Sequence, residues 1–255
     1  MSSALDDGQI LGIDIGGTGI KGGVVDLDSG QLVQGRFRLK TPPGARPDDV
    51  GETVAAVAQN FDFTGPAGVA YPGVVHGGIA MTSANLDKTW IGTSLADVLG
   101  PHLPGPATFV NDADAAGLAE VRYGAGRDRS GLVVLVTFGT GIGTALINDG
   151  HLVRNSELGH IEIDGGDAEK SASISAMERA DLSWEQWGQL ASRYLQHLEN
   201  LLWPELIIIG GGLTKETDKW FDFLECRTPL VVAALGNNAG IVGAALNVHE
   251  RAHGH

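Results

Sequence analysis

A unit of strand, glycine turn and strand occurs twice in this chain, and that recurrence constrains the fold more than any other feature. The first copy runs from Ile10-Leu-Gly-Ile-Asp-Ile15 through Gly16-Gly-Thr-Gly19 into a β-branched stretch, Ile20 to Val25. The second runs from Leu132-Val-Val-Leu-Val-Thr-Phe138 through Gly139-Thr-Gly-Ile-Gly143 into Thr144-Ala-Leu-Ile-Asn-Asp-Gly150. β-Branched and aromatic runs bounded by glycine read as strands joined by tight turns. The tails correspond too, Asp28-Ser-Gly-Gln-Leu-Val33 with Asn148-Asp-Gly-His-Leu-Val153. A repeated supersecondary unit predicts a duplicated, two-lobed fold with a cleft between the lobes, a common place for a small-molecule site.

The segments between and after the hairpins predict an α/β protein. Gln31 to Lys40 reads as a third strand, Asp49 to Asn60 as a helix, Ala67 to Tyr71 and Pro106 to Val110 as strands, and Ala113 to Tyr123 as a helix. Ser183 is placed to cap a long amphipathic helix reaching Leu202, with Gln186 at the capping-box position. Leu206 to Ile209 is a buried strand closed by Gly210-Gly-Gly212, and a small-residue helix spans about Asn238 to Val248. The expected lobes are 1–111 with 238–255, the smaller, and 112–237, the larger.

Charge excludes some functions. With 17 basic against 31 acidic residues and a formal net charge of -14, a general nucleic-acid or anionic-membrane surface is disfavoured. No window approaches the roughly 18 uninterrupted apolar residues of a membrane span. The opening Met1-Ser-Ser-Ala-Leu-Asp-Asp-Gly-Gln9 shows no secretory pattern, and the single cysteine, Cys226, permits no internal disulfide. A cytoplasmic location is the expectation.

Gly17-Thr-Gly-Ile-Lys-Gly22 matches the dinucleotide pattern G-x-G-x-x-G in letters only. That pattern needs a helix after the loop, and Ile20-Lys-Gly-Gly-Val-Val25 is a strand sequence. A glycine hairpin can still hold phosphate, because successive main-chain N–H groups converge where no Cβ obstructs approach. For either hairpin alone, a tight turn serves equally well as an explanation. A third glycine turn directly after an apolar strand, Gly210 to Gly212 followed by Leu213-Thr-Lys215, favours a phosphate-handling site.

Leu11-Gly-Ile-Asp-Ile-Gly-Gly-Thr-Gly-Ile-Lys-Gly22, Val110-Asn-Asp112, Glu157-Leu-Gly-His160 and Ile208-Ile-Gly-Gly-Gly-Leu213 together resemble the ROK sugar kinases of the actin-like ATPase (ribonuclease H-like) superfold. Within that family, Trp184-Glu-Gln-Trp187, Leu202-Trp-Pro-Glu205 and Asn237-Asn-Ala-Gly-Ile-Val-Gly243 are similar to the polyphosphate glucokinases. The resemblance implies transfer of a terminal phosphoryl group from inorganic polyphosphate, with ATP as a second donor, to the 6-hydroxyl of glucose. It also implies Mg²⁺ and a homodimer to which the Trp184 to Leu202 helix contributes. Two departures are visible. Asp164 to Asp181 has no cysteine, so the three-cysteine zinc loop of most ROK proteins is not expected. The first strand starts near residue 9, so neither is the helix-turn-helix of ROK repressors.

Carried onto this sequence, the resemblance makes Asp112 the general base, at a strand end that opens a helix, with Asp114 beside it as a decoy. It makes Asn85, Asn111, Glu157, His160 and Glu169 the sugar contacts. Glu169 is the weakest transfer, since its counterpart follows the missing cysteines, and Glu178 is the substitute. Asp14, Gly16, Gly17, Thr18, Gly19, Gly139, Thr140, Gly141 and Gly211 would face the phosphates. Lys21 points either to the donor or to solvent. No side chain is expected to ligate the metal directly, Asp14 acting through water. A polyphosphate track needs cations, for which Lys88, Lys170, Arg179, Arg193, Lys215, Lys219 and Arg227 are candidates. The rivals are an ATP-dependent hexose or acylhexosamine kinase and a non-catalytic sugar-binding protein.

Overall fold

In the computed structural model, which describes residues 8–252, the two glycine turns nucleate two sheets of the same design. β1 (Gln9–Ile15) and β2 (Ile20–Asp26) pair antiparallel, closing the first turn at Ile15↔Ile20. The chain then returns along the other edge of β2 as β3 (Gln31–Leu32) and β4 (Phe37–Leu39). The single strand expected over 31–40 is therefore interrupted. Gly35 takes φ +77 between the two pieces, a left-handed conformation that a continuous strand cannot hold.

After α1 (Pro47–Gln59), β5 (Ala67–Tyr71) pairs parallel to β1. A small hairpin, β6 (Val75–His76) with β7 (Ile79–Ala80), and α2 (Leu95–Leu99) lead to β8 (Ala107–Asn111), parallel to β5. α3 (Asp112–Tyr123) follows without a break. It begins one residue earlier than expected because the Asn111 side chain accepts the Asp114 N–H at 3.0 Å, capping the helix.

The second sheet repeats the plan. β9 (Leu132–Phe138) and β10 (Ile142–Asn148) close the second turn at Phe138↔Ile142, and β11 (His151–Val153) extends the meander. A hairpin, β12 (Glu162–Ile163) with β13 (Gly166–Asp167), precedes α4 (Glu169–Ala172), α5 (Ile174–Arg179) and α6 (Trp184–Leu202). β14 (Leu206–Gly211) is parallel to β9, and β15 (Leu230–Val232) to β14. α7 (Ala239–Ala252) ends the described chain. The strand orders, β3-β2-β1-β5-β8 and β11-β10-β9-β14-β15, are the same topology twice, an antiparallel meander joined to a parallel pair. The mixed, duplicated α/β architecture is as expected.

The chain divides into two compact units, one up to Ala119 and from Asn237 onward, the other from Glu120 to Gly236. The first crossing falls inside α3 instead of at its start, since the helix continues through the boundary; residues 1–7 and 253–255 of the expected lobes lie outside the described residues. α7 runs past Val248, because His249-Glu-Arg-Ala252 contains neither the glycine nor the proline that would stop it.

The units bury their sheets by different means. In the first, α7 lies directly on the strands: a Cβ at Gly12 would overlap the Ile241 carbonyl, and one at Gly68 the Ala244 carbonyl. The opposite face carries Leu11, Ile13, Ile20 and Val24 against Val50, Val54 and Val57 of α1. In the second, large rings fill the space. Trp187 meets Phe138 and Trp220 edge-on at 5.3 and 6.2 Å between centroids, and its indole N–H donates to the Ala172 carbonyl at 2.8 Å. The capping box expected at Ser183 and Gln186 is formed, and α6 ends at Trp203, a left-handed cap with φ 50.

Candidate active site

In a parallel βαβ arrangement, ligand groups collect where the carboxyl ends of the strands stop. The first unit follows this rule. Asp14, Ala70 and Val110 form one row across β1, β5 and β8, so the turn after Asp14 and the Asn111-Asp112 pair after Val110 share one edge of the sheet. Asn111 is buried, donates to the Gly73 carbonyl at 3.1 Å and caps α3. Asp112, the first residue of α3, is half-buried, and its carboxylate accepts the Ala113 N–H at 2.9 Å. A helix N-terminus favours the ionised carboxylate, the form a base requires. Asp114 is buried, 1% exposed.

The first turn is held by Gly16 N–H to the Gly19 carbonyl at 3.1 Å, with Gly17 and Thr18 exposed. Asn85, left-handed at φ 62, packs on Gly17 so closely that a Cβ there would collide with it. Asp14 is 9% exposed and paired with Lys21 at 2.9 Å. Lys21 also donates to the Asn237 carbonyl at 3.2 Å. Gly240 in the first turn of α7 leaves room for the Asp14 carboxylate, which a Cβ there would overlap.

The second unit gathers the other predicted residues. Gly211 pairs with Phe138 in register, so it stands beside the turn Gly139 to Gly141. His160 lies 3.9 Å from Glu157, 3.8 Å from Asp167 and 3.7 Å from Glu169. Glu169, the least secure transfer from sequence, thus joins Glu157 and His160, whereas Glu178 is exposed on α5. Glu169 also accepts the Ile142 N–H at 3.3 Å and fills the space a Cβ on Gly141 would need. Sequence reasoning missed Asp167. The only signal for it was its place two residues before Glu169.

Charge within this group is uneven. Burial pushes the Glu157 carboxyl above the usual range, and the Glu169 charge adds to the rise. The hydrogen bond from Lys170, with its charge, holds Asp167 low. Tyr194 on α6 buries its hydroxyl without a hydrogen-bond partner; burial, then the charge of Glu169, keep that phenol protonated. Among the described residues, no group of three or more His, Cys, Asp or Glu is arranged to hold a metal ion. Nor is any helix long and apolar enough to cross a membrane. One carboxylate at Asp14 suits Mg²⁺, which commonly binds through one or two carboxylates, substrate phosphates and retained waters.

This arrangement has close relatives. A polyphosphate glucokinase of Mycobacterium tuberculosis is 54% identical over 237 residues, 92% of this chain and 89% of that protein. The crystal structure of an inorganic polyphosphate/ATP-glucomannokinase from Arthrobacter sp. strain KM matches with a TM-score of 0.91 and 49% identity, over 95% of this chain and 99% of that one. A ROK family glucokinase from Streptomyces griseus, solved in complex with glucose and AMPPNP, matches with a TM-score of 0.80 and 26% identity, over 94% and 99%. The ROK family model covers residues 10–174, from the first strand through the Glu157 to Glu169 cluster. With its duplicated sheets, its paired glycine turns and this similarity along almost its whole length, the chain belongs to the ROK family.

Proposed function

We propose that the protein is a polyphosphate-dependent glucokinase, transferring the terminal phosphoryl group of inorganic polyphosphate to the 6-hydroxyl of glucose, with ATP as a second donor. The observation that carries this reading is the shared strand edge in the first unit, where the aspartate that opens α3 and a glycine turn with a neighbouring ammonium lie on one sheet margin. Phosphoryl transfer needs positioning, a proton acceptor and charge stabilisation, and little else.

Asp112 accepts the proton of the glucose 6-hydroxyl as that oxygen attacks the terminal phosphorus. The bridging P–O bond breaks, and the electron pair leaves with the shortened polyphosphate. Asn85, Asn111, Glu157, His160 and Glu169 are the sugar contacts that the family resemblance implies. The N–H groups and hydroxyls of Gly16, Gly17, Thr18, Gly19, Gly139, Thr140, Gly141 and Gly211 face the donor, with Lys21. Mg²⁺, when bound, neutralises developing phosphate charge, and Asp14 would hold it through water. Exclusion of water from the reacting atoms protects the donor from hydrolysis. The reading extends to a cytoplasmic homodimer; Leu201 and Trp203 at the end of α6, 59% and 69% exposed, are the apolar surface available there.

Purified protein with Mg²⁺ and glucose, given polyphosphate or ATP at matched phosphoryl concentration, tests this directly. Glucose 6-phosphate formed mainly from polyphosphate is the expected result. Product from ATP alone would move the protein to the ATP-dependent hexose kinases, and no product from either donor would make it a sugar-binding protein.

A further inference from the structure

The residues flanking and forming β4 read Arg36-Phe-Arg-Leu-Lys40, with exposed and half-buried positions alternating. Phe37 and Leu39 pack on the core of the first unit. Arg36, Arg38 and Lys40 therefore share the opposite side, about 7 Å apart along the chain. Register brings them to the phosphate turn: Asp14↔Lys21 and Lys21↔Arg38 form one row across β1, β2 and β4. Two cations directly opposite one another in a sheet repel. Asp14 relieves Lys21, whereas among the described residues no acid pairs with Arg38.

Arg38 donates to the Thr18 carbonyl at 2.8 Å, and its guanidinium rests where a Cβ on Gly19 would collide with it. Arg36 donates to Asn238 Oδ1 at 3.4 Å, next to the Asn237 carbonyl that Lys21 holds. These partners are neutral, so the charges remain uncancelled; among the described residues Arg36, Arg38 and Lys40 form no ion pair. Of the basic residues singled out from sequence, Lys88 and Arg179 also donate to carbonyls, those of Ser83 and Lys170, and like Lys215 form no ion pair among the described residues, whereas three others meet acids. Lys170 pairs with Asp167, Arg193 with Asp164 and Lys219 with Glu216. Arg227 stacks on Trp203 at 4.1 Å. Such exposed pairs are weak, but each acid cancels the field a polyanion would feel.

We infer that Arg38, Arg36 and Lys40 form the track for the polyphosphate chain, its terminal phosphate at Gly16 to Gly19 and its tail along β4. The inference rests on the polyphosphate reading above and adds the path of the donor. Arginine suits the role because its planar fork pairs two phosphate oxygens at once. Charges on a sheet edge also serve to prevent edge-to-edge pairing, which would explain the same residues without a ligand.

The two explanations separate in an Arg36→Glu/Arg38→Glu protein compared with wild type and with Lys219→Ala, using long-chain polyphosphate in calorimetry and in turnover. The expected result is a loss of about tenfold or more in polyphosphate affinity in the double variant. A shallower salt dependence and a KM for glucose within about twofold of wild type accompany it, and Lys219→Ala keeps wild-type affinity. Thermal unfolding checks the fold, and Arg38→Gln carries the same readouts if charge reversal prevents folding. Unchanged polyphosphate affinity in a folded variant, or an equal loss in Lys219→Ala, overturns the track. Wild-type protein that binds polyphosphate through this strand yet makes no glucose 6-phosphate overturns the glucokinase reading and leaves the track standing.

Discussion

The two glycine turns occupy equivalent places in equivalent sheets, yet their surroundings are electrically opposite. The turn from Gly16 to Gly19 spans four residues between paired strand ends and lies under Arg38, beside the Asp14–Lys21 pair. The turn from Gly139 to Gly141 spans three and has the Glu169 carboxylate beneath it. Duplication fixed the backbone while the residues that follow each meander set its charge. After the first come Arg36 to Lys40; after the second come Glu157, Asp167 and Glu169. The first surroundings are basic and the second acidic. Packing diverges likewise, with glycines admitting α7 in one unit and aromatic rings supporting α6 in the other.

That contrast can be broken by substitution. Trp187→Ala removes a buried ring and leaves a cavity, and should cost about 3–5 kcal/mol in denaturant unfolding. Gly68→Ala forces a methyl group onto the Ala244 carbonyl and should cost about 1–3 kcal/mol, more if α7 cannot shift. A Gly68→Ala protein as stable as wild type would show that the helix does not seat as closely as described. The smallest effect concerns pH. Burial raises the Glu157 carboxyl, so the stability it permits is complete below its unfolded-state value and is lost as pH rises through the folded value. Glu157→Gln escapes that loss. Its Tm should match wild type near the ordinary glutamate range, about pH 4.3, and exceed it increasingly toward neutrality. A constant gap would remove burial as the cause.

Most of the architecture was legible because it is written in local signals: β-branched runs, glycine turns and the Ser183 capping box each act over a few residues. The interruption between β3 and β4 was not, since Gly35 in Gln31 to Lys40 carries no cue that it must turn left-handed. Of the candidate residues, Asp14, Asn111, Asp112, Glu157 and His160 stand in contiguous motifs and could be singled out in order. Arg36 and Arg38 could not, because their importance comes from cross-strand register with Lys21, a relation between segments and not a property of either. Asp167 was hidden for the same reason: its link to His160 depends on the β12–β13 hairpin.

The central claim, that Asp112 is the base of a polyphosphate-driven phosphoryl transfer to glucose, is tested most directly by Asp112→Ala. Its glucose 6-phosphate formation from polyphosphate should be measured alongside glucose binding by calorimetry. The expected result is a fall in kcat of roughly 10²- to 10⁴-fold with glucose affinity largely kept. Turnover close to wild type, with the protein folded and glucose bound, would contradict it.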